Sequence, residues 1–412
     1  MNYRLIIRQL GLLVLGLSVV LLCIWLWSSI ALGFSNSGPT ALLWSGGIAC
    51  ALGALFFLLG KARSKQQGTG SMGRREALLL VTSSWFVGAM VSSLPFLLWA
   101  RMDADENHPF QSLVNCFFEA MSGLTTTGAT ILTDISTVPA PLLFWRAMIQ
   151  WLGGLGIVVL FVAVLPSLGV GGKKLFRVEA PGPEPEGVRP HIRETARVLW
   201  VIYLCLTLVE IVAYKFAGLQ WFDASCHALT TLATGGFSTQ NASIGGFDSR
   251  LVSVITIVFM VLASTNFGLF YAAVKGKLKV IWSDPEFRLY LFLLVGGSTV
   301  IVCSLLGSGS DITTTAGAMR PATVSNTLTH GVFTAVSIQT NTGFTTADYN
   351  TWPFAAKAVI VMMMFIGGCA GSTGGGIKVI RIWVAMKVLM SELERAFRPN
   401  VVRPLKVGKS TI

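Results

Sequence analysis

A short glycine-centred motif occurs three times at an almost constant spacing, and this repeat constrains the fold more than any other feature. The copies are centred on Gly128, Gly235 and Gly343, which are 107 and 108 positions apart. So regular a spacing indicates similar structural units arranged around a common axis. Glycine permits backbone angles that turn carbonyl oxygens toward a pore, and rings of carbonyls can replace the hydration shell of a cation. The motifs therefore predict a pathway for cations.

The composition of the chain places these repeats in a membrane. Of the 412 residues, 53% are hydrophobic and only 12% are charged, which excludes an ordinary soluble domain. A membrane-spanning helix needs about 20 mostly apolar residues. Eight segments meet this requirement, and they cover residues 10–33, 41–60, 77–100, 141–166, 196–218, 251–274, 288–307 and 355–386.

The basic residues predict how the chain is oriented. Most of the 31 Lys and Arg lie near the two termini and in alternate connections between the apolar segments. Because basic residues favour the cytoplasmic side, both termini are predicted to be cytoplasmic. The seven cysteines show no metal-ligand spacing, and no nucleophile–base pair is visible, so the sequence disfavours an enzyme.

Each motif follows an apolar segment that is too short to cross a bilayer, at 110–124, 221–232 and 325–338. Such segments are typical of re-entrant helices, whose broken backbone must be buried in protein or line water. We therefore predict an all-α polytopic membrane protein, built from repeats of outer helix, short pore helix, filter strand and inner helix around a central pore, plus an N-terminal two-helix hairpin. The predicted parts are a hairpin with a basic link (1–76), pore unit 1 with a cytoplasmic link (77–189), pore unit 2 (190–285), pore unit 3 (286–397) and a cytoplasmic tail (398–412).

The inner helix of the third unit contains six glycines within residues 367–376. Each glycine costs about 1 kcal/mol relative to alanine in a helix, so this run should break the helix and form a mobile loop. It is not a phosphate-binding loop, because Ile377 separates the last glycine from Lys378.

Two carboxylates lie at membrane depth, where they are usually functional or paired. We expect Glu119, on the first pore helix, to support the filter from behind rather than to touch the ion. Glu210 has Lys215 as a candidate partner. His227 and His330 precede the second and third filters, and hydrogen bonding is a more common role for such residues than ion ligation.

Residues 118–130 (Phe-Glu-Ala-Met-Ser-Gly-Leu-Thr-Thr-Thr-Gly-Ala-Thr) and the run 367–378 resemble the Trk/Ktr/HKT family of potassium transporters, and the likeness extends over essentially the whole chain. The resemblance implies potassium uptake in a bacterial inner membrane, with potassium as the transported ion and no organic cofactor. It also implies a homodimer with a cytoplasmic RCK-type nucleotide-binding regulator (TrkA-like). Channel-like conduction and ion-coupled symport both remain open.

The family pattern also assigns roles to residues of this chain. It implies that the potassium-binding filter consists of Thr126, Thr127, Gly128, Ala233, Thr234, Gly235, Asn341, Thr342 and Gly343. It implies that an intramembrane gate loop consists of Gly367, Gly368, Gly371, Gly374, Gly375 and Gly376 with Lys378.

The chain departs from the family in the number of repeats, since the family has four and three are visible here. One further period would place a fourth motif beyond Ile412, and the tail 398–412 resembles the link that precedes a fourth unit. We therefore expect these residues alone to leave the filter incomplete. The alternative to a conducting protein is a non-conducting membrane subunit or scaffold. A secondary transporter with inverted repeats is disfavoured, because the repeats run in the same orientation.

Overall fold

The structure is a computed structural model that describes residues 2–33, 36–61, 74–154, 156, 192–397, 406–407 and 410–411. The predicted all-α class is confirmed. The chain forms two compact bodies, and the boundary between them falls after Asn241, inside the predicted second unit. The N-terminal body thus holds the first two predicted filter segments, and the C-terminal body holds the third predicted filter segment and the glycine-rich loop.

The N-terminal body begins with a hairpin of two long helices that pack at very short range. A Cβ added to Gly11 would lie 2.5 Å from the backbone nitrogen of Phe57, and one added to Gly53 would lie 2.8 Å from that of Leu15. Small residues allow this approach, which replaces lipid contacts with helix contacts. The helices of this body are α1 Tyr3–Leu32, α2 Ser37–Lys61, α3 Arg74–Asp103, α4 Leu113–Leu124, α5 Ala140–Gly154, α6 Ile192–Phe216 and α7 Trp221–Leu232.

The C-terminal body contains shorter and more broken helices. They are α8 Arg250–Ala263, α9 Phe267–Val274, α10 Lys279–Ser283, α11 Pro285–Ser308, α12 Val324–Thr327, α13 Phe333–Gln339, α14 Phe354–Phe365 and α15 Val379–Phe397. A π-helical turn at Leu328–Val332 joins α12 to α13, so the third pore helix is irregular. The pairs β1 Ile312–Thr313 with β2 Met319–Arg320, and β3 Lys406–Val407 with β4 Ser410–Thr411, are antiparallel.

Several apolar segments behave differently from the predicted continuous spans. Within the described residues, five helices are long and apolar enough to cross a membrane, or six if α8 and α9 count as one span. The candidate span over 251–274 consists of two helices, α8 and α9, which meet at an angle of 92°. The predicted break in 355–386 is confirmed. Helix α5 covers the start of 141–166, and most of the remainder of that segment lies outside the described residues.

Candidate filter and gate-loop site

The three filter segments share one unusual backbone conformation. Each pore helix is followed by a non-glycine residue in the left-handed region, and two positions later by a glycine with positive φ. Side chains other than Asn and Asp rarely adopt this conformation, and such strain concentrates at functional sites. The left-handed residues are Thr126, Thr234 and Asn341 (φ 53°, 52° and 59°), and the glycines are Gly128, Gly236 and Gly343 (φ 76°, 77° and 82°).

Equivalent backbone hydrogen bonds end the three pore helices. In each repeat the residue after the left-handed one donates its N–H to the carbonyl five positions earlier. The pairs are Thr127 to Ser122 at 2.9 Å, Gly235 to Thr230 at 2.9 Å, and Thr342 to Ser337 at 3.0 Å. This six-to-one bond is typical of a helix that ends in a left-handed turn. The three pore helices therefore end in the same type of backbone turn.

The shared geometry corrects the predicted alignment of the second motif by one position. Gly236, and not Gly235, has the conformation of Gly128 and Gly343. Gly235 therefore corresponds to Thr127, and the predicted filter residue Ala233 corresponds to Thr125, which caps α4. Two adjacent glycines made the alignment ambiguous in the sequence, and the backbone angles resolve it.

Close packing, rather than a positive φ, accounts for the glycine at position 235. A Cβ on Gly235 would lie 2.4 Å from the side-chain amide of Gln150. Gln150 is fully buried. Its Nε2 donates to the Gly235 carbonyl at 2.7 Å, and its Oε1 accepts from the Phe237 N–H at 3.2 Å. The Gly235 carbonyl also approaches Gly128, where an added Cβ would lie 2.1 Å from it. The first two filters thus pack directly against each other.

A buried ion pair lies behind these two filters. Glu119 Oε1 is 2.6 Å from Arg146 Nε, and the side chains are 0% and 2% exposed. Glu119 also accepts from the Thr130 hydroxyl at 2.9 Å and the Ile131 N–H at 3.1 Å, immediately after the first filter.

Arg146 extends the same network to the second filter. Its Nη1 donates to the Ser238 carbonyl at 3.1 Å, and its guanidinium lies 3.6 Å from the centroid of the Phe237 ring. Arg146, together with Glu119, therefore links the segment that follows the first filter to the segment that follows the second. Sequence reasoning missed Arg146 and Gln150, although a lone arginine within an apolar segment is itself a signal of function.

The loops after these filters are also joined. The Asn241 amide donates to Asp134 Oδ1 at 2.8 Å, and its oxygen accepts from the Ile135 N–H at 2.7 Å. Hydrogen bonds from Asn241 and then Ser136 lower the pKa of the exposed Asp134 carboxyl. These contacts fix the positions of the two loops relative to each other.

The other polar residues singled out in the sequence have separate positions. Glu210 is buried, and neither of its carboxylate oxygens has a hydrogen-bond partner among the described residues. The candidate pairing with Lys215 is therefore wrong, and the ammonium of Lys215 lies 5.5 Å from the ring centroid of Trp221.

The two histidines make hydrogen bonds within their repeats. Nε2 of His227 lies 2.9 Å from the Ser238 hydroxyl. Nδ1 of His330 lies 3.0 Å from the Thr346 hydroxyl.

In the C-terminal body the glycine-rich run leaves the helix and returns to its starting point. The Gly367 N–H donates to the Ile377 carbonyl at 2.9 Å, and the Val379 N–H donates to the Gly368 carbonyl at 3.2 Å. Residues 367–376 thus form an excursion, a loop whose two ends are joined by these hydrogen bonds. Lys378 is buried where the two ends meet and donates to the Gly374 carbonyl. Nearby, Oε1 of buried Glu286 accepts from the N–H groups of Ala370 (2.6 Å) and Ile380 (3.1 Å).

This excursion occupies the break between α8 and α9. The N–H groups of Cys369 and Thr373 donate to the carbonyls of Ser264 (2.9 Å) and Ala263 (3.3 Å), while the Gly371 carbonyl accepts from Phe267 at 3.1 Å. The bend at 264–266 frees backbone groups that a straight helix would pair internally, and the excursion supplies their partners. The kink and the glycine-rich run are therefore two parts of one arrangement.

The excursion also touches the third filter. A Cβ added to Gly376 would lie 3.0 Å from Asn341 Oδ1, and one added to Gly374 would lie 3.2 Å from the Thr340 carbonyl. A Cβ on Gly367 would lie only 1.9 Å from the Gly375 carbonyl. Close packing within the loop therefore requires a glycine at 367, and little room is left for a side chain at Gly374 and Gly376.

Comparisons with known proteins agree with this architecture. Residues 56–412 match the family model described as TrkH, cation transport protein. The chain is 39% identical over 414 residues to the Trk system potassium uptake protein TrkH of Salmonella typhimurium, with 100% of the chain and 80% of the relative covered. It is 34% identical to the Trk system potassium uptake protein TrkG of Escherichia coli, with 86% and 70% covered.

A solved structure has the same fold. The crystal structure of the potassium transporter TrkH from Vibrio parahaemolyticus superposes with a TM-score of 0.81 at 36% identity, covering 100% of this chain and 80% of that one. The resemblance drawn from residues 118–130 and 367–378 is therefore confirmed. The family is one of transporters and not of enzymes, as predicted. The chain belongs to the TrkH family of cation transport proteins.

Proposed function

We propose that the protein carries out potassium uptake across a bacterial inner membrane, through a pore whose selectivity depends on backbone carbonyls. The names of the relatives support potassium as the ion. The observation that carries the proposal is the recurrence of a left-handed residue followed by a positive-φ glycine after each of three pore helices. The same left-handed conformation occurs three times, twice at a threonine that rarely adopts it, and this is expected where carbonyl orientation is functional.

The proposed ion-coordinating segments follow the corrected alignment. They are Thr126, Thr127 and Gly128 in the first filter, Thr234, Gly235 and Gly236 in the second, and Asn341, Thr342 and Gly343 in the third. Glu119 acts as a filter support through Arg146, because neither group is exposed to an ion pathway.

The glycine-rich excursion is the proposed gate. It combines Gly367, Gly368, Gly371, Gly374, Gly375 and Gly376 with Lys378, and its contact with Asn341 and Thr340 would let a change in the loop reach the third filter directly. The proposal includes a homodimer and a cytoplasmic RCK-type nucleotide-binding regulator acting on this loop. It also includes cytoplasmic termini and the five-part organisation given above for residues 1–412.

Expression of the gene that encodes this chain in a bacterium that lacks potassium uptake tests the proposal. We expect growth on limiting potassium and saturable rubidium uptake when four repeats are present to complete the filter. Gly236→Ser should lower the preference for potassium over sodium, because a side chain at positive φ perturbs the filter backbone. Gly47→Ser is the matched control, since a Cβ there meets open space.

The alternative, a non-conducting subunit or scaffold, predicts membrane insertion without uptake. Uptake whose ion preference is the same in Gly236→Ser and the control would contradict the filter assignment.

A further inference from the structure

The C-terminal body contains a polar cavity that is separate from the filter and the gate loop. Its volume is about 140 Å³. It lies between the start of α8, the β1–β2 hairpin and the π-helical turn. The charged and polar side chains that line it include Asp248, Arg250, Arg320, Asn326, His330 and Thr346.

Hydrogen-bond donors exceed acceptors in this cavity. Arg320 Nη2 is 2.6 Å from Asp248 Oδ1, and Arg250 Nη2 donates to Asn326 Oδ1 at 3.3 Å. Each contact engages one N–H of a guanidinium that has five, and guanidinium groups cannot accept. With one carboxylate against two arginines, the lining carries a positive surplus.

The size of the cavity limits what it can hold. One water needs about 10–15 Å³ of a cavity, so the space has room for several waters. A small inorganic ion with part of its hydration shell therefore fits. No group of three His, Cys, Asp or Glu side chains suited to a metal occurs among the described residues, and two arginines oppose any cation.

We propose that this cavity binds a small inorganic anion, such as chloride or phosphate, between Arg250 and Arg320. Asp248 competes with the anion for Arg320. Because His330 belongs to the third pore helix and Thr346 follows the third filter, the bound anion offsets two positive charges close to the ion-selective segment. This inference does not depend on the gate or on the conduction mechanism.

The test measures the thermal unfolding midpoint of the purified full chain in detergent. Potassium gluconate is replaced stepwise by potassium chloride at constant potassium concentration and ionic strength, or by potassium phosphate at constant potassium concentration. We expect the midpoint to rise with the logarithm of the chloride or phosphate concentration once that concentration exceeds the dissociation constant. Arg250→Gln and Arg320→Gln should each weaken the apparent affinity at least tenfold, because each removes a charged donor. Arg101→Gln, which removes an arginine from the other body, should leave it unchanged.

Asp248→Asn provides a test that misfolding cannot imitate. Removing the competing carboxylate should tighten anion binding, and an unchanged or weaker affinity in this variant would overturn the proposal. A midpoint that does not depend on chloride or phosphate, or a response that is the same in all variants, would also overturn it. So would a response to phosphatidylglycerol micelles without any response to free anions, since that would assign the cavity to lipid.

Discussion

Breaking the Glu119–Arg146 pair should have a large and strongly non-additive effect on stability. Both groups are buried, and their closest atoms are 2.6 Å apart. Removing one member of such a pair costs about 3–5 kcal/mol, because the other charge stays buried without compensation. In Glu119→Gln the single amide oxygen can replace only one of the two acceptors, because Thr130 donates to Oε1 and Ile131 donates to Oε2. The lost charge is therefore accompanied by a lost hydrogen bond, and we expect about 3–5 kcal/mol.

A double-mutant cycle isolates this term. Arg146→Gln should cost a similar amount, with an added loss of the contacts to Phe237 and Ser238. The double variant leaves no unpaired charge, so it should be more stable than the sum of the single effects predicts, by about 2 kcal/mol. The free energy of unfolding is measured by denaturant titration in mixed micelles, with tryptophan fluorescence as the signal.

The exposed Arg320–Asp248 pair is the matched control, measured in gluconate. Its side chains are 37% and 75% exposed, and such pairs contribute about 0–1 kcal/mol. Single effects of Glu119→Gln and Arg146→Gln that add to within about 0.5 kcal/mol would refute the assignment of one buried, coupled pair.

Three further predictions concern the loop and the topology. Gly367→Ala should raise basal uptake, because its Cβ would lie 1.9 Å from the Gly375 carbonyl and the excursion could not close; rubidium flux equal to that of the unmodified protein would count against a gate. Glu286→Ala should raise basal flux more than Glu286→Gln, because only the amide keeps an acceptor for the two N–H groups at the base of the loop. Unpaired buried donors cost about 1–3 kcal/mol each. Equal fluxes in the two variants would show that Glu286 does not hold the loop closed. Single cysteines replacing Gln67 and Gln240 should react with an impermeant thiol reagent from opposite sides of the membrane, and labelling from one side would disprove the topology.

Local chemistry explains which features were predictable. The short pore helices and the helix break in 367–376 depend on segment length and glycine content, which the sequence displays directly. The one-position shift from Gly235 to Gly236 was not predictable, because either residue of a tandem glycine pair can satisfy the motif. The bend at 264–266 was hidden because the apolar residues on both sides make 251–274 appear continuous.

The buried polar network was harder to predict than the helices. The sequence indicates a role for Glu119, because it is a carboxylate at membrane depth. Its partner Arg146 lies on another helix of the same repeat, and no local sequence pattern connects the two residues. Gln150 presents a similar case, since its partners Gly235 and Phe237 are 85 and 87 positions away. Long-range pairing of this kind depends on tertiary packing and cannot be inferred from spacing alone.

The glycine-rich excursion fills the kink between α8 and α9. A movement of the excursion out of the kink would therefore change the hydration of the kink. When the excursion leaves, the carbonyls of Ala263 and Ser264 lose the donors that now satisfy them, including the Thr373 hydroxyl at 2.9 Å. An unpaired carbonyl in an apolar setting costs several kcal/mol, so water must replace each lost donor. Opening of the loop and wetting of the kink would then be a single event. Osmotic stress applied with an excluded solute should consequently favour the closed state, and amide exchange at Phe267 should report opening.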